Sequence, residues 1–202
     1  MGQKIAIVDY GLGNIASIKN AFLYHGVDPV VTSSPFQIKS ADKLILPGVG
    51  AFQPAITRLK KTGLYDAIVE KVTEGTFILG ICLGMQLLFT VSYENGVHNG
   101  FNFIEGEVVR FQNVSKIPHM GWNSVEIVGK SRLFEGIRDG EFFYFVHSYY
   151  CKPEKNEDIA AISEYGGSFC AAVEKGNVFG VQFHPEKSHC PGLKVLENFI
   201  KL

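Results

Sequence analysis

The chain has 202 residues, 46% hydrophobic and 19% charged, with 19 basic against 20 acidic side chains and a formal net charge of −1. That length supports one domain with a well-buried core, assigned to residues 1–202. The even charge balance lacks the basic stripe of a nucleic-acid binder, and no apolar run approaches the roughly 20 residues that cross a bilayer.

Near the N-terminus, Lys4-Ile-Ala-Ile-Val-Asp9 reads as a buried strand rather than an export signal, because its apolar run is short and ends in an acid. Residues 14–25 follow with helical spacing at Ile15, Ile18 and Phe22. Residues 30–31 form a second strand, and Ser34-Pro35 opens a helix with proline at its first position. Residues 44–46 are a third strand, ended by Pro47-Gly48. Amphipathic helices are predicted over 51–61 and 64–74, separated by Gly63, then a fourth strand over 76–81 and a helix through 85–89. This alternation predicts a parallel sheet covered on both faces.

The second half changes character. Strands are predicted over 107–111, 125–128, 141–150, 158–164, 168–174 and 177–183, with a closing helix over 192–202. The fold class is therefore α/β, with a mixed sheet and an antiparallel-rich second half. Four cysteines, Cys82, Cys151, Cys170 and Cys190, lie far apart without C-x-x-C pairing. They read as free thiols in a reducing cytoplasm.

Three segments carry chemistry. Gly80-x-Cys82-x-Gly84 between a strand and a helix is the G-x-S-x-G elbow with cysteine as nucleophile. Side chains at positions 80 and 84 would collide with neighbouring elements, and the helix N-terminus favours thiolate. The N–H of Leu83 can donate to an oxyanion. Val181-Gln-Phe-His-Pro-Glu186 ends a strand in a candidate base, His184, with Glu186 two residues on. If the strand continues, residues i and i+2 share a face, so Glu186 can orient the imidazole. In Pro47-Gly-Val-Gly-Ala-Phe52, two glycines let backbone N–H groups turn toward a ligand. Taken singly, a structural cysteine, a surface His-Pro-Glu turn and a plain strand-to-helix turn account for these segments; the three together are hard to assign to coincidence.

In this order the segments resemble the class I (triad) glutamine amidotransferases, whose fold is three-layered with a central mixed, mostly parallel sheet. More closely they resemble the branch formed by glutaminase subunits of imidazole glycerol phosphate synthase. Asp9-Tyr-Gly-Leu-Gly-Asn14, Pro47-Gly-Val-Gly50, Pro118-His-Met-Gly-Trp-Asn123 and Tyr144-Phe-Val-His-Ser-Tyr149 carry that likeness. The resemblance implies a Cys82–His184–Glu186 triad, and an oxyanion hole from Leu83 and, after a peptide rearrangement, from Val49 and Gly50. It implies glutamine held by Gly50, Gln86, Glu94, Ser148 and Tyr149, with Glu94 on the α-amino group. It implies no cofactor and no metal. Ammonia would pass to a (β/α)₈-barrel cyclase subunit facing Asn14, Trp122 and Tyr144, in histidine biosynthesis; the alternative is a partner in surface-sugar biosynthesis. The chain departs from the family at Gly100-Phe-Asn-Phe-Ile104, at Ser92-Tyr-Glu-Asn95 and at Cys190-Pro191.

Rival readings are weaker. Gly11-x-Gly13-x-x-Ala16 fits a dinucleotide fingerprint, but Thr32, Ser33 and Ser34 stand where a ribose-binding acid is needed. His184, His189 and Cys190 suggest zinc, yet His184 cannot serve as both ligand and base. A purely regulatory binding role sits poorly with a complete triad.

Overall fold

A computed structural model of the chain describes residues 3–112 and 114–202. The first half winds as β1 (Ile5–Val8), α1 (Ile15–Tyr24), β2 (Val30–Thr32), α2 (Pro35–Lys39), β3 (Lys43–Leu46), α3 (Phe52–Lys61), α4 (Leu64–Thr73), β4 (Phe77–Ile81) and α5 (Leu83–Leu87). Two short strands, β5 (Phe89–Ser92) and β6 (His98–Asn99), lead into the second half. There follow β7 (Ile104–Arg110), β8 (His119–Ser124), β9 (Glu126–Ile127), β10 (Phe142–His147), β11 (Tyr149–Pro153), β12 (Ile159–Glu164), β13 (Ser168–Lys175), β14 (Val178–Val181) and α6 (His189–Lys201).

Twelve strands form one mixed sheet in the order β2-β1-β3-β4-β14-β13-β11-β7-β5-β6, with β12 and β9 continuing beside β13. The five strands from β2 to β14 run parallel, and most of the remaining pairs are antiparallel. Because β1, β3 and β14 have every residue buried, successive side chains feed opposite faces of the sheet. Ala6 and Val8 join Leu44, Ile68 and Leu59 on one side. Ile5 and Ile7 join Phe22, Phe199 and Leu196 on the other. Burying each such side chain contributes roughly 1.5–3 kcal/mol, and this double-sided core is what holds the strand ends rigid.

Lys43 is the exception within β3, with 2% exposure. Its Nζ donates to the carbonyls of Phe199 (3.1 Å) and Ile200 (2.6 Å), so the charge meets the negative end of α6. No helix among the described residues is long and apolar enough to cross a membrane.

Several boundaries differ from expectation. The predicted helix over 85–89 lies two residues earlier, because it starts directly after Cys82 and Phe89 already belongs to β5. The strand predicted over 141–150 is two strands in different sheets: β10 pairs β8, β11 pairs β7 and β13, and Ser148 is the break. The β8 strand has no counterpart in the sequence reading. Its residues alternate in burial, but glycine and asparagine dilute the apolar pattern that would announce it.

Candidate active site

Neighbouring parallel strands bring the three chemical segments together. In β3 and β4, Leu46 sits opposite Gly80; in β4 and β14, Ile81 sits opposite Val181. The chain therefore leaves the sheet at the same edge in three places: into Pro47–Gly50, into Cys82 and toward His184. The N–H of Cys82 donates to the carbonyl of Val181 at 2.8 Å. Cys82 and Val181, 99 positions apart (181 minus 82), thus meet at one strand pairing, and His184 follows three residues on. Ligands of open α/β sheets collect at such carboxyl ends.

The elbow is strained as its sequence demands. Cys82 has φ 56° and ψ −111°, a conformation that costs on the order of 1–3 kcal/mol and is held by the surroundings. A Cβ on Gly80 would lie 2.6 Å from the carbonyl oxygen of Gly84, and one on Gly84 would strike the carbonyl oxygen of Leu46. Only glycine allows the strand, turn and helix to pack so closely. The oxyanion segment is clamped beside it: Tyr10 Oη donates to the Pro47 carbonyl at 2.6 Å, and a Cβ on Gly48 would meet both Tyr10 and Leu83. Burial, and the nearby Cys82, push the Tyr10 phenol well above its usual range, so it remains a donor.

His184 Nδ1 lies 2.9 Å from Glu186 Oε1, and both side chains are almost fully buried. The carboxylate accepts, so Nδ1 carries the proton, and the buried Nε2 has no hydrogen-bond partner within the protein. Burial pulls the imidazole pKa down, but the nearby Cys82 sulfur and the hydrogen-bonded Glu186 carboxylate outweigh it and raise the pKa to about 10. The imidazole therefore holds a second proton at neutral pH when the sulfur beside it is a thiolate. The contact does not arise as the sequence reading supposed. β14 ends at Val181 and Pro185–Lys187 is a 3₁₀ turn, so a tight turn, not a strand pleat, folds Glu186 back onto His184.

A cleft of about 290 Å³ opens over the sulfur. Nine of the candidate residues line it: Cys82, His184, Val49, Gly50, Leu83, Gln86, Glu94, Ser148 and Tyr149. Glu186 stands behind His184. Gln86 Nε2 spends its hydrogens on Tyr149 O and Gln182 Oε1, both at 3.0 Å, which leaves its own Oε1 as the group able to accept from a ligand. Glu94 Oε2 accepts the N–H of Phe52 at 2.6 Å, joining the cleft to the start of α3. Pro118, Val146 and His147 complete the lining, and Gln182 Nε2 approaches Cys82 Sγ at 3.7 Å. The sequence reading missed these four as site residues. His147 is a buried residue at the end of β10, and its neighbours Ser148 and Tyr149 are the signal that places it near the site. Another cleft, of about 330 Å³ beside Arg110 and Lys152, has no cysteine, histidine or carboxylate in its lining.

Asn14, Trp122 and Tyr144 lie outside the cleft. Trp122 and Tyr144 are opposite each other in β8 and β10, with rings 6.0 Å apart, and His189 stacks on Trp122 at 4.9 Å. Trp122 keeps 45% exposure. Asn14 precedes α1 and accepts from Ser17 Oγ at 2.9 Å.

The rivals fare poorly in space. Asp9 Oδ1 accepts the Gly11 N–H at 2.9 Å and Arg58 Nη1 donates to the Gly11 carbonyl at 3.1 Å, so side chains fill the turn a pyrophosphate would need. His189 stacks on Trp122 while His184 pairs with Glu186, and among the described residues no three His, Cys, Asp or Glu side chains gather as a metal-binding group. All four cysteines are free, in agreement with the sequence reading.

Comparison with known proteins agrees with this geometry. Residues 6–202 match the family model described as "Glutamine amidotransferase class-I". The chain is 48% identical over 202 residues to "Imidazole glycerol phosphate synthase subunit HisH" of Syntrophotalea carbinolica, covering 96% of this chain and 98% of that protein. It is 50% identical over 200 residues to "Imidazole glycerol phosphate synthase subunit HisH 2" of Methanococcus maripaludis, covering 98% of both. In fold it is similar to a chain of PurLQS from Thermotoga maritima, with a TM-score of 0.78, 19% identity and coverage of 100% of this chain and 99% of that one. A structure described as a glutamine amidotransferase aligns with a TM-score of 0.75 and 19% identity over 96% of this chain and 98% of that one. The matched family, the identity of its relatives and the strand-edge nucleophile agree: this chain belongs to the class I glutamine amidotransferases.

Proposed function

We propose that residues 1–202 act as one amidotransferase domain, the glutaminase subunit of imidazole glycerol phosphate synthase, hydrolysing glutamine through Cys82, His184 and Glu186. The observation that carries this reading is the buried Glu186–His184 pair beside the strained Cys82, over a cleft that also holds Gln86, Glu94, Ser148 and Tyr149.

The chemistry follows from the charges. The Cys82 thiolate attacks the side-chain carboxamide carbon of glutamine, a C–S bond forms, and the carbonyl electron pair moves to oxygen. The N–H of Leu83, at the start of α5 and without an intrahelical partner, donates to that oxyanion, as do the Val49–Gly50 amides once that segment turns. Each such donor is worth roughly 2.7–4 kcal/mol in well-studied hydrolases. Imidazolium His184 gives its Nε2 proton to the departing nitrogen, the C–N bond breaks, and ammonia leaves a glutamyl thioester. Water then adds with His184 as base, releasing glutamate and restoring the thiol pair. Glu186 holds the ring in its Nδ1–H tautomer throughout. Glu94 takes the α-ammonium of glutamine through its second oxygen, while Gly50, Gln86, Ser148 and Tyr149 hold the rest.

The relatives are named as subunits of a synthase, which supports a partner subunit; on this reading it is a (β/α)₈-barrel cyclase that docks on the face carrying Asn14, Trp122 and Tyr144. Ammonia entering that subunit makes imidazole glycerol phosphate and aminoimidazole carboxamide ribonucleotide in histidine biosynthesis. Four free thiols favour the cytoplasm as the compartment. The test is glutamate release by the purified chain with and without the cyclase subunit of the same organism. Release stimulated by that subunit supports the assignment; absence of any glutamine hydrolysis in the complex overturns it.

A further inference from the structure

Two buried histidines beside the cleft have no part in the chemistry above. His119 opens β8, His147 ends β10, and they face each other across the antiparallel pair with 4% and 6% exposure. Their hydrogen bonds fix every proton. His147 Nδ1 lies 2.8 Å from the Tyr149 carbonyl, which can only accept, so Nδ1 carries the hydrogen. Burial pushes the His147 pKa down to about 3, so the ring is neutral and its Nε2 is bare. The group 3.0 Å from that nitrogen, His119 Nδ1, must then donate. Burial lowers the His119 pKa as well. Its Nε2 accepts from Asn123 Nδ2 at 3.3 Å, and the same amide donates to the Glu164 carbonyl at 2.8 Å. The chain of bonds runs one way, from β8 to the carbonyl of Tyr149, where Gln86 Nε2 also ends.

Packing alone does not ask for these residues. The His119 ring is stacked between Tyr165 at 4.1 Å and Phe145 at 5.1 Å, a setting a phenylalanine would fill. A buried imidazole there is costly unless its nitrogens are paired, and here each nitrogen is. The relay ends on the carbonyl of Tyr149, one residue past Ser148, the break between β10 and β11 at the rim of the cleft. On one side β7 holds this rim, with Arg110 paired to Tyr149 and the Phe111 N–H donating to the Ser148 carbonyl at 3.1 Å; the relay adds a restraint from β8, by a hydrogen bond to the Tyr149 carbonyl.

We propose that His119 is a positioning residue for the substrate: acting through His147, it fixes the Ser148–Tyr149 backbone that grips glutamine. This rests on the glutaminase reading above. It acts on binding rather than on the bond-breaking step, because Cys82, His184 and Leu83 are held by other contacts.

Two variants separate this role from packing. His119→Phe keeps the ring stack and removes the donor; His119→Asn removes the ring but can present its amide N–H near the place of Nδ1. With the partner subunit present, His119→Phe is expected to raise KM for glutamine about tenfold, the size of one lost hydrogen bond, with kcat within about twofold. His119→Asn is expected to restore KM to within about twofold of the parent. The reverse order, or equal behaviour of the two variants, overturns the proposal. ¹⁵N spectra of the imidazoles in the free chain test the relay without any assay: both rings are expected as neutral Nδ1–H tautomers, and an Nε2–H form of either contradicts it. If the unaltered complex fails to hydrolyse glutamine, the glutaminase reading falls, and the spectra still decide the relay.

Discussion

The N–H of His184 donates to the carbonyl of Tyr144 at 2.9 Å, which ties the candidate base to the strand whose outer neighbour carries Trp122. Ser188 closes the loop: its hydroxyl donates to the His184 carbonyl at 2.6 Å and accepts the Tyr144 N–H at 3.0 Å. The position of the imidazole over Cys82 is thus set by β10 as much as by β14. Ser188 is fully buried, so Ser188→Ala takes the acceptor from the Tyr144 N–H and leaves the His184 carbonyl with only the Lys187 N–H at 3.0 Å, a loss on the order of 1–3 kcal/mol. The expected outcome is a lower urea midpoint together with a fall in kcat for glutamine of about tenfold or more. An unchanged kcat would show that β10 does not hold the base.

The charge on His184 depends on its neighbours. Burial opposes protonation, and Cys82 is the largest of the groups that favour it, ahead of Glu186. Cys82→Ala should therefore lower the His184 pKa from about 10, which NMR titration of the ring can follow. The linkage has a definite sign. A folded-state pKa raised above the ordinary 6.5 stabilises the fold fully below that value, and the contribution fades as pH rises through 10. Urea midpoints of the parent and of Cys82→Ala should converge between pH 7 and 10.5; a gap that widens over that window contradicts the assignment.

Glu186→Gln keeps a similar shape but removes the charge that fixes the Nδ1–H tautomer and supports the imidazolium. By analogy with the orienting acid of serine-protease triads, kcat for glutamine should fall by roughly 10²–10⁴-fold. Thermal denaturation should still show a folded protein. A loss of less than threefold would remove Glu186 from the machinery.

Gly84→Ala places a methyl group against the Leu46 carbonyl. Because the added methyl has no torsion that moves it away and meets backbone, neither side can yield, and the variant should lose at least about 1–3 kcal/mol of stability along with its glutamine turnover. Denaturant unfolding checks this directly; full stability would mean the elbow is looser than the packing of β3, β4 and α5 implies.

How much of this was legible in the sequence depends on the range of the interaction that decides each feature. The Cys82 elbow is local: a buried strand, two glycines two residues either side of a cysteine, and a helix are visible in one stretch. The pairing of β3, β4 and β14 is not local, yet alternating strands and helices in the first half imply a parallel sheet, and a parallel sheet aligns its loops at one edge. Contacts made by turns and broken strands were harder. Nothing in 141–150 marks Ser148 as a change of sheet, because apolar and aromatic residues continue on both sides of it. Glu186 reaches His184 through a 3₁₀ turn whose geometry the Pro185 position only hints at. The His119–His147 relay needs β8, a strand too polar and glycine-bearing to read from pattern, so nothing in the sequence joins its members.

The central claim is that one sulfur initiates all glutamine chemistry in this chain. The most direct measurement compares Cys82→Ala with the parent, each in complex with the proposed cyclase subunit, using glutamine in one assay and an ammonium salt in the other. The variant is expected to make no product from glutamine and to keep the parent's rate from ammonium. Product formed from glutamine by the alanine variant would contradict the claim.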